Sequence, residues 1–346
     1  MDLELKKNLE TYEPFIQLNF CKNISENEIL NASYLDNSFC VFKSIYGVLI
    51  IIYSNVNLSI VSYNLNNFQK INEIKKAHNE NIINFRHISE IKNKRDLIIS
   101  CSSPDNNIKL WSFNNWECIY NFKNVNKKNF LYSACFLRNN QDIFIISSNY
   151  SYKEISEKMK VFDLNGNKIQ EINDSNEKTV FIDTFYDDKL NKHFIVTGNH
   201  GYSKSYDYNN NRVYHNYCDN AEKFGIQSSH YNIVINQKED KIELIESELY
   251  VLIRVWNFHT GLLLKKINVI YKPHGICLLN EQYLVTGSFG KFKLIDLKKG
   301  IVIQEMKGHK RDIVSIKKIN HPQLGECLIS HSDKEVITLW TINFNI

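Results

Sequence analysis

Histidine, serine and acidic residues recur at similar offsets before three tryptophans. His78, Ser100 or Ser102, and Asp105 precede Trp111; His309, Ser330 and Asp333 precede Trp340; His230, Ser247 and Glu248 precede Trp256. Asp105 stands six residues before its tryptophan and Asp333 seven. A serine, a histidine and a carboxylate are the parts of a hydrolytic triad, in which the imidazole takes the hydroxyl proton and the acid orients the imidazole. Two features oppose that chemistry here: the set recurs along the chain, and no nucleophile elbow or oxyanion glycine pair surrounds it. The same side chains have a second use. A buried imidazole and a buried carboxylate must both find partners. The histidine can donate to the acid and accept from the serine, while the indole N–H closes the network. The expected role of His78, Ser100, Asp105, Trp111, His230, Trp256, His309, Ser330, Asp333 and Trp340 is therefore structural, and no catalytic residue is assigned.

Other reactive residue types do not converge in the sequence. His193, His200 and His215 lack the separations of a zinc site. The eight cysteines contain no C-x-x-C pair, which opposes a zinc ribbon or a redox motif. Several lie in apolar runs such as Ser133-Ala134-Cys135-Phe136-Leu137, so they read as small buried hydrophobes in a reducing compartment. No metal and no cofactor is expected. The formal net charge is +4, and the densest basic run, Lys307 to Arg311, is short. No basic stripe marks a nucleic-acid binder. The N-terminus carries acids and no apolar run, and the longest aliphatic run, Val48 to Ile52, is far too short to span a membrane. The expected location is the cytoplasm, with the nucleus or a cilium compatible.

The elements that must position the tryptophans are strands. Ile108–Phe113, Ile253–Phe258 and Ile337–Ile342 share one phrase, an alternating hexamer with tryptophan at its fourth place. Degenerate copies are Met159–Leu164, Phe292–Leu297, Leu58–Tyr63 and Ser203–Tyr208. Seven copies at intervals of roughly 36 to 50 residues match the period of propeller blades. An apolar run precedes each copy, as Val48–Ser54 and Leu97–Ser102 do. A turn and one more strand follow each of the first six, giving four strands per repeat. The composition, 43% hydrophobic with 20 Phe and 19 Tyr, suits strands. Asparagine clusters such as Asn209-Asn210-Asn211 are expected at left-handed turn positions.

The last copy ends on its third strand, while Pro14–Phe20 is strand-like and has no repeat of its own. It is expected to supply the missing outer strand and fasten the ring, since an open ring would expose sheet edges. The prediction is an all-β chain: a seven-bladed β-propeller of four-stranded antiparallel blades. An N-terminal segment, 1–36, contains the closing strand at about 14–20. The blades then cover approximately 37–74, 78–123, 129–173, 179–217, 228–268, 272–307 and 308–346.

On Gly308-His309, Ser330, Asp333 and Trp340, and on Ala77-His78, Ser100, Asp105 and Trp111, the chain resembles the WD40-repeat family, whose founding fold is that of G-protein β-subunits. The resemblance covers nearly all residues from about Asn37 onward. It implies a propeller and, since one fold hosts many functions, only a general role: a non-catalytic scaffold that binds other proteins or peptides through propeller-face loops. The alternative is a substrate-receptor or regulatory subunit of a larger complex, in ubiquitin ligation or in ciliary or cytoskeletal assembly. Related propellers use the face of the d–a and b–c loops. There the partner-binding candidates are Tyr150, Tyr152 and Lys153 in the longest b–c insertion, Tyr202, and Lys310 with Arg311. Two signatures of specialised propellers fail: Phe85-Arg86-His87 departs from the phosphoinositide motif Phe-Arg-Arg-Gly, and Asn257 replaces the aspartate of a ligase receptor's Trp-Asp-x-Arg. No nucleic acid or membrane insertion is expected, and the sequence specifies no oligomeric state.

Overall fold

The structure is a computed structural model that describes residues 16–25, 39–103, 107–123, 131, 133–148, 157–199, 201–218, 230–248, 251–270, 273–332 and 336–344. The described residues form seven separate four-stranded antiparallel sheets arranged as the blades of a β-propeller. The inner strands, a, are Phe39–Lys43, Ile82–Glu90, Ala134–Asn139, Thr179–Asp187, His230–Gln237, Ile276–Leu278 and Ile313–His321. Strands b, c and d follow outward in chain order in the first six blades. No helix among the described residues is long and apolar enough to cross a membrane.

Local sequence explains the layering. Strand b of the second blade, Arg95–Ser102, is buried along almost its whole length and after Arg95 and Asp96 is a run of aliphatic and small residues. The outer strand Leu263–Asn268 alternates between exposed Leu264, Lys266 and Asn268 and the more buried Leu263, Lys265 and Ile267, as a strand with one wet face must. Each interface between consecutive blades holds its own hydrophobic cluster. Ile52 and Ile60 of the first blade pack with Phe85 and Trp111 of the second. At the seam, Ile51 and Tyr63 of the first blade pack with Ile329 and Leu339 of the seventh.

The ring closes as expected. Ile16–Asn23 pairs antiparallel with Ile337–Phe344, in the register Ile16 to Phe344 and Asn23 to Thr338. The closing strand is also held from the sixth blade. Gln304 accepts a hydrogen bond from Ile16 N at 2.9 Å and donates one to Ile16 O at 2.6 Å. At the other end Ile24 N donates to Ile337 O and Ile337 N donates to Ser25 Oγ.

Two expectations shift. In the first blade the repeat phrase is not Leu58–Tyr63; strand c is Ile60–Asn64, with Tyr63 at the tryptophan place. Its register bulge falls between Ser62 and Tyr63, as the second blade's falls between Leu110 and Trp111. A strand repeats every two residues, so a two-residue slide keeps the same faces and is invisible to alternation. Asparagine also works differently. Only Asn140, Asn191 and Asn211 are among the eleven described non-glycine residues at positive φ. Elsewhere the side-chain carbonyl captures turn amides, as Asn55 does for Asn57 and Ser59 and Asn257 does for His259 and Thr260.

Removing residues 1–22 should lower the melting temperature by about 10 °C or more, since several kcal/mol of edge pairing and burial go with the strand. Gln304→Leu should lower it by only a few degrees. Thermal unfolding followed by circular dichroism measures both, and an unchanged midpoint in the truncated chain contradicts the fastening role.

Candidate interaction site

Two of the three polar sets form as matching hydrogen-bonded knots. Ser100 Oγ lies 2.7 Å from His78 Nε2 and accepts from Trp111 Nε1 at 2.8 Å. Ser330 Oγ lies 2.6 Å from His309 Nε2 and accepts from Trp340 Nε1 at 2.7 Å. One hydroxyl thus ties the segment before strand a to strands b and c. Asp105 and Asp333, the expected carboxylates, lie outside the described residues. Among the described residues His78 Nδ1 has no hydrogen-bond partner. Burial, with Lys109 adding repulsion, pushes the His78 pKa from its ordinary 6.5 down to about 3. Glycine serves the second knot at Gly290, where φ is +73° and an added Cβ would stand 2.3 Å from the His309 carbonyl oxygen.

The third set differs from expectation. Trp256 Nε1 donates to Glu246 Oε1 at 2.8 Å, not to Ser247 or Glu248. Ser203 of the fourth blade donates to the other carboxylate oxygen of Glu246, so this knot crosses a blade interface. Glu246 and Ser247 point to opposite faces of strand b, and only the first shares the face of Trp256. Counting back from tryptophan finds it: Glu246 stands ten residues before Trp256, as Ser330 does before Trp340. The side chains of His230 and Glu248 lie outside the described residues.

Of the loop-face candidates, the described ones, Tyr202 and Lys310 with Arg311, stand on different blades. Tyr150, Tyr152 and Lys153 lie outside the described residues. Tyr202, on the b–c turn of the fourth blade, is half-buried, and burial together with Glu177 raises its hydroxyl pKa. Lys310 and Arg311 are exposed on the connection between the sixth and seventh blades, well round the ring from Tyr202. His193 stacks obliquely on Tyr186 and His215 contacts the His259 carbonyl, whereas His200 lies outside the described residues. Cys101, Cys135, Cys277 and Cys327 are buried, but Cys118 and Cys218 are exposed, because they sit at and beyond outer strands rather than in the apolar runs.

Along the axis runs a cavity of about 430 Å³ bordered by Phe42, Arg86, His87, Asp183, Thr184 and Lys317. Arg86 crosses it. From the second blade its Nη2 donates to Ile182 O of the fourth at 3.2 Å and lies 3.8 Å from Asp183 Oδ2. Its guanidinium stands 5.7 Å from the centre of the Phe181 ring.

The opposite end of the ring, the hairpin face made by a–b and c–d turns, is more uneven. It holds two further hollows, of about 450 and 550 Å³, on either side of the fourth blade's a–b hairpin. Large apolar side chains stand exposed on the a–b turns of three consecutive blades: Leu324 of the seventh, Tyr46 of the first (72% exposed) and Ile91 of the second (74%). The turns of Tyr46 and Leu324 are held by residues outside them. Asp96 Oδ2 of the second blade accepts from Ile45 N, beside Tyr46, at 2.9 Å, and its Oδ1 lies 2.8 Å from His87 Nε2. His321 Nδ1 accepts from Gln323 N and Leu324 N, which leaves Nε2 to donate to Leu65 O of the first blade at 2.8 Å. No local sequence motif marks these residues, because turn tips seldom carry a period.

With the architecture and these sites established, the class of the molecule is a seven-bladed β-propeller. No known protein family matches the chain, and no curated protein matches it in sequence.

Ser330→Ala should leave the buried Trp340 N–H without an acceptor and His309 Nε2 without its hydroxyl partner, and cost about 2–4 kcal/mol, read from chemical denaturation. The His78 pKa is depressed in the folded state, so its stabilising contribution is complete above pH 6.5 and is lost as pH falls from 6.5 towards 3. The loss runs at about 1.4 kcal/mol per pH unit. His78→Asn should flatten the stability–pH curve in that window by up to one proton; an unchanged slope contradicts the assignment.

Proposed function

We propose that this propeller is a non-catalytic scaffold that binds partner proteins, and that its hairpin face is the binding face. One observation carries the reading: that face presents exposed apolar tips on three consecutive blades, and it also holds two hollows, on either side of the fourth blade's a–b hairpin. Single exposed apolar residues are ordinary, whereas clustered ones on a polar-rimmed surface characterise protein contacts. The turns that bear them are hydrogen-bonded in place, so little ordering entropy would oppose docking. Membership of the WD40 family is part of the same proposal. The two His–Ser–Trp knots and the strand c phrase support it.

The experiment is quantitative affinity purification with the full chain and a Tyr46→Glu/Ile91→Glu/Leu324→Glu variant. All three sites are on turns outside the sheets, so the variant should melt within about 3 °C of the parent. At least one stoichiometric partner should fall about tenfold or more, as expected when apolar anchors are lost from an interface. An unchanged partner set from an equally stable variant overturns the choice of face.

A further inference from the structure

We infer that the axial channel is a binding site for a monocarboxylate with an apolar body, gripped by the Arg86 guanidinium. The site lies inside the ring, and its chemistry stands apart from the scaffold reading and from the choice of the hairpin face.

The charges that face the channel come from one level of the fold. Arg86, Asp183 and Lys317 are each the fifth residue of an inner strand, Ile82–Glu90, Thr179–Asp187 and Ile313–His321. All three border the cavity of about 430 Å³, a volume suited to a small organic ligand. Arg86 holds the unfilled group. Its side chain is 15% exposed. Nη2 donates to Ile182 O, and Nη1 reaches only the Phe85 carbonyl, at 3.5 Å, the limit of a hydrogen bond. Nε is buried and has no hydrogen-bond partner among the described residues. A buried N–H of a charged group is costly without an acceptor, and an acceptor entering the channel removes that cost.

Charge favours an anion. Arg86 and Lys317 face the carboxylate of Asp183, which is a weak counterion. It is 53% exposed, its Oδ2 stands 3.8 Å from Nη2, and its Oδ1 accepts from Thr184 N at 2.9 Å. Both cations lie near enough to the Cys40 thiol, in the same wall, to act on its charge. His87 also borders the cavity, but its Nε2 is turned to Asp96, and burial lowers its pKa, so it adds no charge at neutral pH. Shape and polarity favour a carboxylate over a phosphate. A carboxylate is a planar two-oxygen acceptor that matches the edge of a guanidinium. The remaining walls include Phe181, Phe185, Ile233, Ile235 and Leu278, which suit an aliphatic or aromatic body. A phosphate dianion would shed its water against them with too few donors in return, since Thr184 already donates its hydroxyl to Phe136 O. A free organic acid and the C-terminus of a bound chain present the same group to Arg86.

The test uses the full chain with isoleucine and leucine methyl groups labelled, so that Ile233, Ile235 and Leu278 report on the channel by NMR. The probes are hexanoate, hexanamide, hexylammonium, inorganic phosphate, and acetyl-leucyl-leucine with a free or an amidated C-terminus. Hexanoate or the free dipeptide acid should produce saturating shifts at these residues. Hexanamide, hexylammonium and the dipeptide amide should bind at least about tenfold more weakly, and phosphate should produce no shift. The dipeptide acid binding as tightly as hexanoate assigns the site to a chain terminus; hexanoate binding alone assigns it to a free acid. Arg86→Gln should abolish the carboxylate shifts. Should that variant fail to fold, Arg86→Lys keeps the charge without the fork and should weaken binding about tenfold, and the ranking of probes on the parent chain needs no variant. Absent shifts with both carboxylates, equal binding of hexanamide or hexylammonium, or stronger binding of phosphate overturns the inference. Such a failure is separate from failure of the scaffold reading, which the apolar-tip variant tests at the hairpin face.

Discussion

No blade of this molecule can bury both faces of its own sheet; each depends on the next. The hydrophobic clusters make that dependence concrete, because each spans at least two consecutive blades, and one of them joins the seventh blade to the first. A four-stranded sheet alone would expose the aliphatic runs of its b strands to water, at a cost of roughly 25 cal/mol for every Å² left uncovered. Neighbour-on-neighbour burial explains how 346 residues fold without one enlarged core. It also makes closure indispensable. The strand Ile16–Asn23 completes the seventh blade and is gripped by Gln304 of the sixth, so it links chain-distant elements at the seam.

Within that frame polar side chains act as local pins. Ser100 and Ser330 each collect a histidine and a tryptophan around one hydroxyl. Glu246 does the equivalent work with Trp256 but recruits Ser203 from the adjoining blade. Asp96 and His321 pin turns of the hairpin face to neighbouring blades. The effect is a surface whose relief is set by the scaffold rather than by loop motion. Asp187 belongs to the same class of turn-capping acids, and its second oxygen faces His259 of the fifth blade at 3.1 Å.

Much of the fold was legible because blade architecture writes itself into sequence as a period. The strand c phrase, the preceding apolar runs and the spare strand near the N-terminus lead to the seven sheets and the closing pair that the structure shows. The phase of the first repeat was not legible: Tyr63, not Val61, holds the tryptophan place, and alternation cannot distinguish a slide of two. The knot partners were half legible. Ser100 and Ser330 follow from their spacing, whereas Glu246 stands within strand b while the carboxylate place of the repeat lies after that strand.

Local sequence dictates the repeat, the strand character and the serines that pin the second and seventh blades, because those are local properties with a period of two or of one blade. What the two ends of the ring look like follows instead from how the blades sit against one another. Arg86 meets Ile182 across the axis, and Asp187, Tyr214 and His259 converge from the fourth and fifth blades. Such meetings depend on how far each blade is rotated from the last. That rotation comes from side-chain packing summed around a closed circle, and no stretch of chain carries it alone.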